Sequence, residues 1–335
     1  MFKKTRQAKA LHRDGPRIKA QLAPDDTVVV DPPEPFLHEA LAGAGDGSFE
    51  AAATMLAETR RAQRWADRSH AVEQLAQHAS VTPGWLEAWQ QAQPDNPDQL
   101  VVRAARMIIG AWEVRGRAVS SMTSHEQFRG FHALLEDVTP VLLAAMDQAP
   151  DDPEPWAQAL VQARGLQWPV EEFNGVLNRL ADTDRDHFGG HRAALMYLTP
   201  KWFGSREAMF QFAEQASADR PPTSRLHTLP LIAFIEYVLD PSDEERTAWA
   251  GYRGGAVERA HAWIEAVGKS DPVGVAETRN MLAWCSLIEK QFGPTHEMFV
   301  AIGARAASYP WSYFGDPRER FLFFRDNAAT LFASG

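Results

Sequence analysis

The chain has one cysteine, Cys285. No intramolecular disulfide can form, and no structural zinc site built on several cysteines is available. A reducing cytoplasm is the natural expectation. No run approaches the 18 uncharged apolar residues that a membrane span needs. The first residues, MFKKTRQAKALHRDGPRIKAQ, lack the apolar stretch of a secretory leader. Lysine is scarce: four of the seven lie within the first 19 residues. Arginine dominates elsewhere, as in the proteins of GC-rich bacteria, and carries no functional weight.

Charge is unevenly placed. Lys3, Lys4, Arg6, Lys9, Arg13, Arg17 and Lys19 face only Asp14, giving residues 1–20 a net +6. The whole chain is −10, so the remainder is strongly acidic. An acidic body repels a phosphate backbone, which leaves nucleic acid as a partner for the basic segment alone. Residues 1–35 read as a poorly ordered, basic, proline-rich arm. The run Thr27–Val30 is its one strand candidate, and Asp31-Pro32-Pro33-Glu34-Pro35 forbids helix and reads as a stiff linker.

From Phe36 the signals are helical. Proline follows a capping side chain at Thr82-Pro83, Asn96-Pro97, Asp152-Pro153, Asp271-Pro272 and Asp316-Pro317. There the side-chain oxygen accepts from free amides of the first turn, and proline has no amide to leave unpaired. Ser124–Gln127 and Ser242–Glu245 have capping-box spacing. Phe173, Val176, Leu177 and Leu180 follow the i, i+3, i+4, i+7 rule, as do Met281, Trp284, Cys285 and Ile288. Gly165, Gly268 and Gly293 stand where helices could stop. Helices of ordinary length joined by short links predict antiparallel pairs, and therefore an all-α array over residues 36–335. The starts at Asp151-Asp152-Pro153 and Thr183-Asp184 are close to one tetratricopeptide unit apart.

Three segments are similar to tetratricopeptide units: Asn96-Pro97-Asp98 through Gly116, Leu142-Leu143-Ala144-Ala145-Met146 through Pro153, and Asn280-Met281-Leu282-Ala283-Trp284 through Gly303. A further stretch, Pro200-Lys201-Trp202-Phe203-Gly204-Ser205, resembles a Pro-Lys-Trp-x-Gly-Ser signature of an uncharacterised bacterial family of tetratricopeptide-like proteins. The resemblance spans about residues 95–330. It implies an α/α superhelix of antiparallel helix pairs with an irregular N-terminal arm, and no activity. Physically the signature reads as a corner. Pro200 ends one helix, Gly204 permits an unusual backbone angle, and Ser205 caps the helix from Arg206.

The sequence carries few chemical motifs. There is no phosphate loop, no G-x-G-x-x-G, no H-E-x-x-H and no G-x-S-x-G. Cys285 sits in an apolar stripe and reads as an inert core thiol. No catalytic residue, metal ligand or cofactor is expected. His187 and His191 are at i, i+4, beside Asp184 and Asp186. They read as packing residues with an aspartate capping their helix, or as part of a metal or enzymatic site together with Lys201. Trp202 reads as a buried corner ring or as a ligand contact, and Lys201 has no evident corner role. Trp85 and Trp89 share a helix face and pack between helices or line a groove. The expected function is a non-catalytic scaffold for a protein or peptide, with Lys201, Trp202, His187, His191, Trp85 and Trp89 as candidate contacts. The alternative is an enzyme or metalloprotein assembled near Asp184–Lys201.

Overall fold

The computed structural model describes residues 15–116, 124–240, 250–270 and 272–334. Among them the fold is all-α, with one two-residue pair of strands as the exception. The chain divides into two compact units. One is Pro33–Phe212; the other joins Met1–Pro32 to Ala213–Gly335. The first break falls inside the proline cluster. The second falls inside a helix, where the sequence carries no punctuation.

The unit Pro33–Phe212 begins with helices α1 (His38–Gly45), α2 (Glu50–Arg61), α3 (Trp65–Val81) and α4 (Gly84–Ala92). It continues with α5 (Pro97–Arg115), α6 (His125–Glu136), α7 (Thr139–Gln148), α8 (Glu154–Leu166), α9 (Val170–Thr183) and α10 (Phe188–Tyr197). Helix α11 (Arg206–Ser217) carries the chain out of it. Helices α3, α5, α8 and α10 pack side by side in that order. Helices α6 and α7 lie against α5 and α8, and α9 against α8 and α10. Links of three and four residues flank α9, so it returns antiparallel between α8 and α10.

Several helix starts follow from the capping residues. Asn96 accepts from the Asp98 and Gln99 amides at 2.9 and 3.3 Å, and Ser124 closes a full capping box with Gln127. Ser205 accepts from the Ala208 amide at 3.1 Å, which starts α11. Thr82 makes no such bond: the residue before α4 is Pro83, with no side-chain cap. Asp271 and the box at Ser242–Glu245 lie outside the described residues. Gly165 does not end α8; Phe131 and Leu135 of α6 press where its side chain would stand.

The other unit holds α12 (Leu229–Leu239), α13 (Ala250–Val267), α14 (Pro272–Ile288), α15 (Phe292–Ile302) and α16 (Pro317–Ser334). Gly268, with φ +57°, closes α13 as a left-handed stop, whereas Gly293 lies at the start of α15, not at a helix end. Trp311 is fully buried against Phe299 and Phe321, and its indole donates to Asn280 at 2.7 Å.

The expected strand exists as β1 (Val29–Val30). Its parallel partner β2 (Arg305–Ala306) has no strand signature in the sequence. The segment before β1 is not a loose arm in its described part. The Arg325 guanidinium, 2% exposed, donates to the Ala23 carbonyl at 3.0 Å and to the Asp25 carboxylate. Arg318 donates to the carbonyls of Val28 and Asp25 at 3.1 and 2.6 Å. Residues 1–14, with most of the basic charge, lie outside the described residues.

Candidate functional site

The starts of α5 and α8 meet around one side chain, Arg68 of α3, and the start of α10 joins them through Glu154. Residues Arg68, Ala71, Val72, Leu75, Ala76 and Ala79 are all buried, so the guanidinium stands on the apolar face of its helix. It donates to Asp98 at 2.8 Å and to Asp152 at 2.5–3.0 Å, and to the Leu56 carbonyl of α2 at 3.1 Å. Asp98 also accepts from Arg60 at 3.0 and 3.2 Å. Asp152 accepts from the Glu154 amide at 3.1 Å, so one carboxylate both starts α8 and holds Arg68. Burial alone would lower the Arg68 pKa; Asp152 first, then Asp98 and Glu154, reverse this and raise it.

Glu154 extends the network. Its carboxylate accepts from Gln158 at 2.8 Å and stands 3.1 Å from His187 Nε2. Burial pushes its pKa up, but the bond and charge of His187, with Gln158 and Ser69, bring it below the ordinary value. His187, not Asp184 or Asp186, caps α10: its Nδ1 accepts from the Gly190 amide at 3.1 Å. Asp184 instead accepts from the Asp186 amide within the preceding turn. His191 donates from Nδ1 to the His187 carbonyl at 2.9 Å and its ring stacks on Phe212. Among the described residues no group of three or more His, Cys, Asp or Glu is arranged to hold a metal ion.

A second cluster forms at the opposite ends of the same helices. Trp112 and Arg115 from the end of α5 meet Arg164 from the end of α8 and Trp202 from the corner after α10. The two indoles are perpendicular, with centroids 5.7 Å apart. Arg164 lies over both, at 4.8 and 5.3 Å, and Arg115 over both at 5.5 Å. Burial lowers the Arg115 pKa. Such contacts are worth about 0.5–2 kcal/mol each, more as water is excluded. Trp202 is half-buried, while Lys201 and Phe203 face solvent. The corner is held by the Phe203 amide on the Tyr197 carbonyl at 3.1 Å. Gly204 is required for space, not for an unusual angle: a Cβ there would stand 2.0 Å from the Leu198 carbonyl oxygen.

The six candidate contacts are therefore not one site. Trp85 and Trp89 are fully buried in the core of α1–α5, where Trp89 stacks on Phe49 at 5.8 Å. His187 and His191 sit at the start of α10, and Lys201 with Trp202 beyond its end. The ten residues of α10, about 15 Å of helix, separate His187 from the corner that holds Lys201 and Trp202. Sequence reading missed Arg68, Asp98, Asp152 and Glu154 as a group, and Arg115 and Arg164 as partners of Trp202. The one available signal was an arginine interrupting the apolar stripe of α3. No family model matches the chain, and no curated protein or solved structure is significantly similar to it.

Proposed function

We propose that the chain is a non-catalytic, tetratricopeptide-like helical repeat scaffold of a bacterial cytoplasm that binds a protein or peptide partner, and that Lys201 and Trp202 mark the contact surface. The observation that carries this reading is the cluster of Trp112, Trp202, Arg115 and Arg164 at one end of stacked helices. Tryptophan and arginine are the residue types most concentrated at the energetic centres of interfaces. Trp112, Arg115 and Arg164 are held on helix ends and Trp202 in the corner after α10, and the exposed Lys201 and Phe203 continue the patch outward. The in-order packing of α3, α5, α8 and α10 supports the repeat reading, because serial arrays present extended binding faces. Both nitrogens of His187 are engaged within the protein, which leaves the metalloprotein alternative without its first ligand.

The test is site-specific photo-crosslinking in cells. A photo-reactive residue at position 201 should capture a reproducible partner. One at exposed Glu87 should not. Trp202→Ala should abolish the capture while the protein stays folded. Equal capture at 201 and 87, or capture that survives Trp202→Ala, would remove the patch as the binding site.

A further inference from the structure

The His187 ring serves two neighbours that require different protonation states. Its Nδ1 accepts from the Gly190 amide at 3.1 Å, and an accepting nitrogen carries no proton. Its Nε2 stands 3.1 Å from Glu154 Oε2 and donates to it. The cap of α10 therefore needs the neutral ring, protonated on Nε2 alone. A second proton can only enter at Nδ1, where it would face the Gly190 N–H, donor against donor.

The surrounding charges favour that second proton. Asp98 from α5 and Asp152 and Glu154 from the start of α8 are three buried carboxylates. Against them stand two guanidiniums, Arg68 of α3 and Arg60 of α2. With the ring neutral, one carboxylate is in excess. Asp184, in the turn before α10, also acts on the ring, and Ser69 of α3 and Gln158 of α8 bind Glu154. On α10 itself, His191 donates from Nδ1 to the His187 carbonyl.

We propose that His187 is a proton-operated latch at the start of α10: protonation releases the Gly190 cap and converts the Glu154 contact into a charge-assisted bond tying α8 to α10. One proton thus exchanges a backbone bond for a stronger side-chain bond. Burial opposes the charged ring. The Glu154 hydrogen bond and charge, followed by Asp184 and Asp152, outweigh burial and place the ring's pKa above the usual 6.5. The exchange then falls at a higher pH than the titration of an ordinary histidine.

The test uses the full chain labelled with ¹⁵N-glycine and ¹³C-histidine, followed by NMR from about pH 5 to about pH 9. The His187 ring and the Gly190 amide should titrate with one midpoint, above the usual histidine value. On the acid side the Gly190 amide should lose protection from exchange, relative to its intrinsic rate, by about fivefold, the scale of one N-cap bond. In His187→Asn, whose side-chain oxygen can cap without titrating, the amide should stay flat. In Glu154→Gln the ring midpoint should fall. The proposal is overturned if the ring titrates while Gly190 does not respond, or if the ring fails to titrate over this range. An unchanged midpoint in Glu154→Gln also overturns it, and that arm stands alone should His187→Asn not fold.

Discussion

Arg68 is 0% exposed on its side chain, as are few charged groups in any protein, and it binds two carboxylates and a carbonyl. Removing one partner of a buried pair costs more than the pair itself contributes, because the remaining charge is stranded. Arg68→Met would leave Asp98 and Asp152 facing each other across an apolar side chain. The expected loss is about 3–5 kcal/mol in chemical denaturation. Arg60 shares Asp98 but is one-third exposed, so Arg60→Ala should cost no more than about 1 kcal/mol. Equal costs for the two variants would show that Arg68 is not the centre of the network. Cys285 is the opposite case. Burial pushes its thiol up to about 12, and the inert core role read from its apolar stripe agrees with its 2% exposure. What the sequence could not show is which residues Arg68 meets. An arginine on an apolar stripe announces a buried charge, but Asp152 lies 84 residues further along.

Helices were legible wherever a cap and a period coincided. Asn96, Ser124 and Ser205 start α5, α6 and α11 through the bonds their positions implied. Where the same residue type had a second task, the reading was incomplete. Asp152 looks like a simple cap and is also a ligand of Arg68. Asp184 and Asp186 looked like caps, and His187 performs that role instead. Gly165 had the place of a helix stop and is instead a point of close approach for α6. These distinctions have a measurable counterpart. Ser124→Ala removes an exposed cap and nothing else, and should destabilise by about 1 kcal/mol. Asp152→Ala removes a cap and a buried counter-charge together, and should cost about 3–5 kcal/mol. Denaturation curves that give the two variants the same stability would mean that Asp152 acts on α8 alone.

At the scale of the whole chain, the largest departure from expectation concerns the N-terminal segment. Composition marks residues 1–35 as a basic, proline-rich arm, and nothing near them in sequence suggests otherwise. Their anchors lie about 300 residues away, on α16 and on a two-residue strand too short to carry a pattern. Phe321, Arg325, Ala328 and Ala329 form the buried face of α16, so Arg325 interrupts an apolar stripe just as Arg68 does. In each case the interruption is the sequence trace of a long-range tie. Here the tie consists of the Ala23 carbonyl and the Asp25 carboxylate, with Asp326 remaining as a local partner. Deleting residues 1–20 leaves that set intact and should leave the denaturation midpoint nearly unchanged. Deleting residues 1–31 removes β1, Ala23 and Asp25 and leaves the buried guanidinium under-satisfied, at a cost of at least about 1–3 kcal/mol. Replacing Arg325 by Met in the shorter chain should recover part of that loss, since the stranded charge is then gone. If both deletions are equally stable, the segment is a solvated arm after all and its contacts to α16 contribute nothing. If only the longer deletion destabilises, the segment is an integral part of the unit formed with Ala213–Gly335.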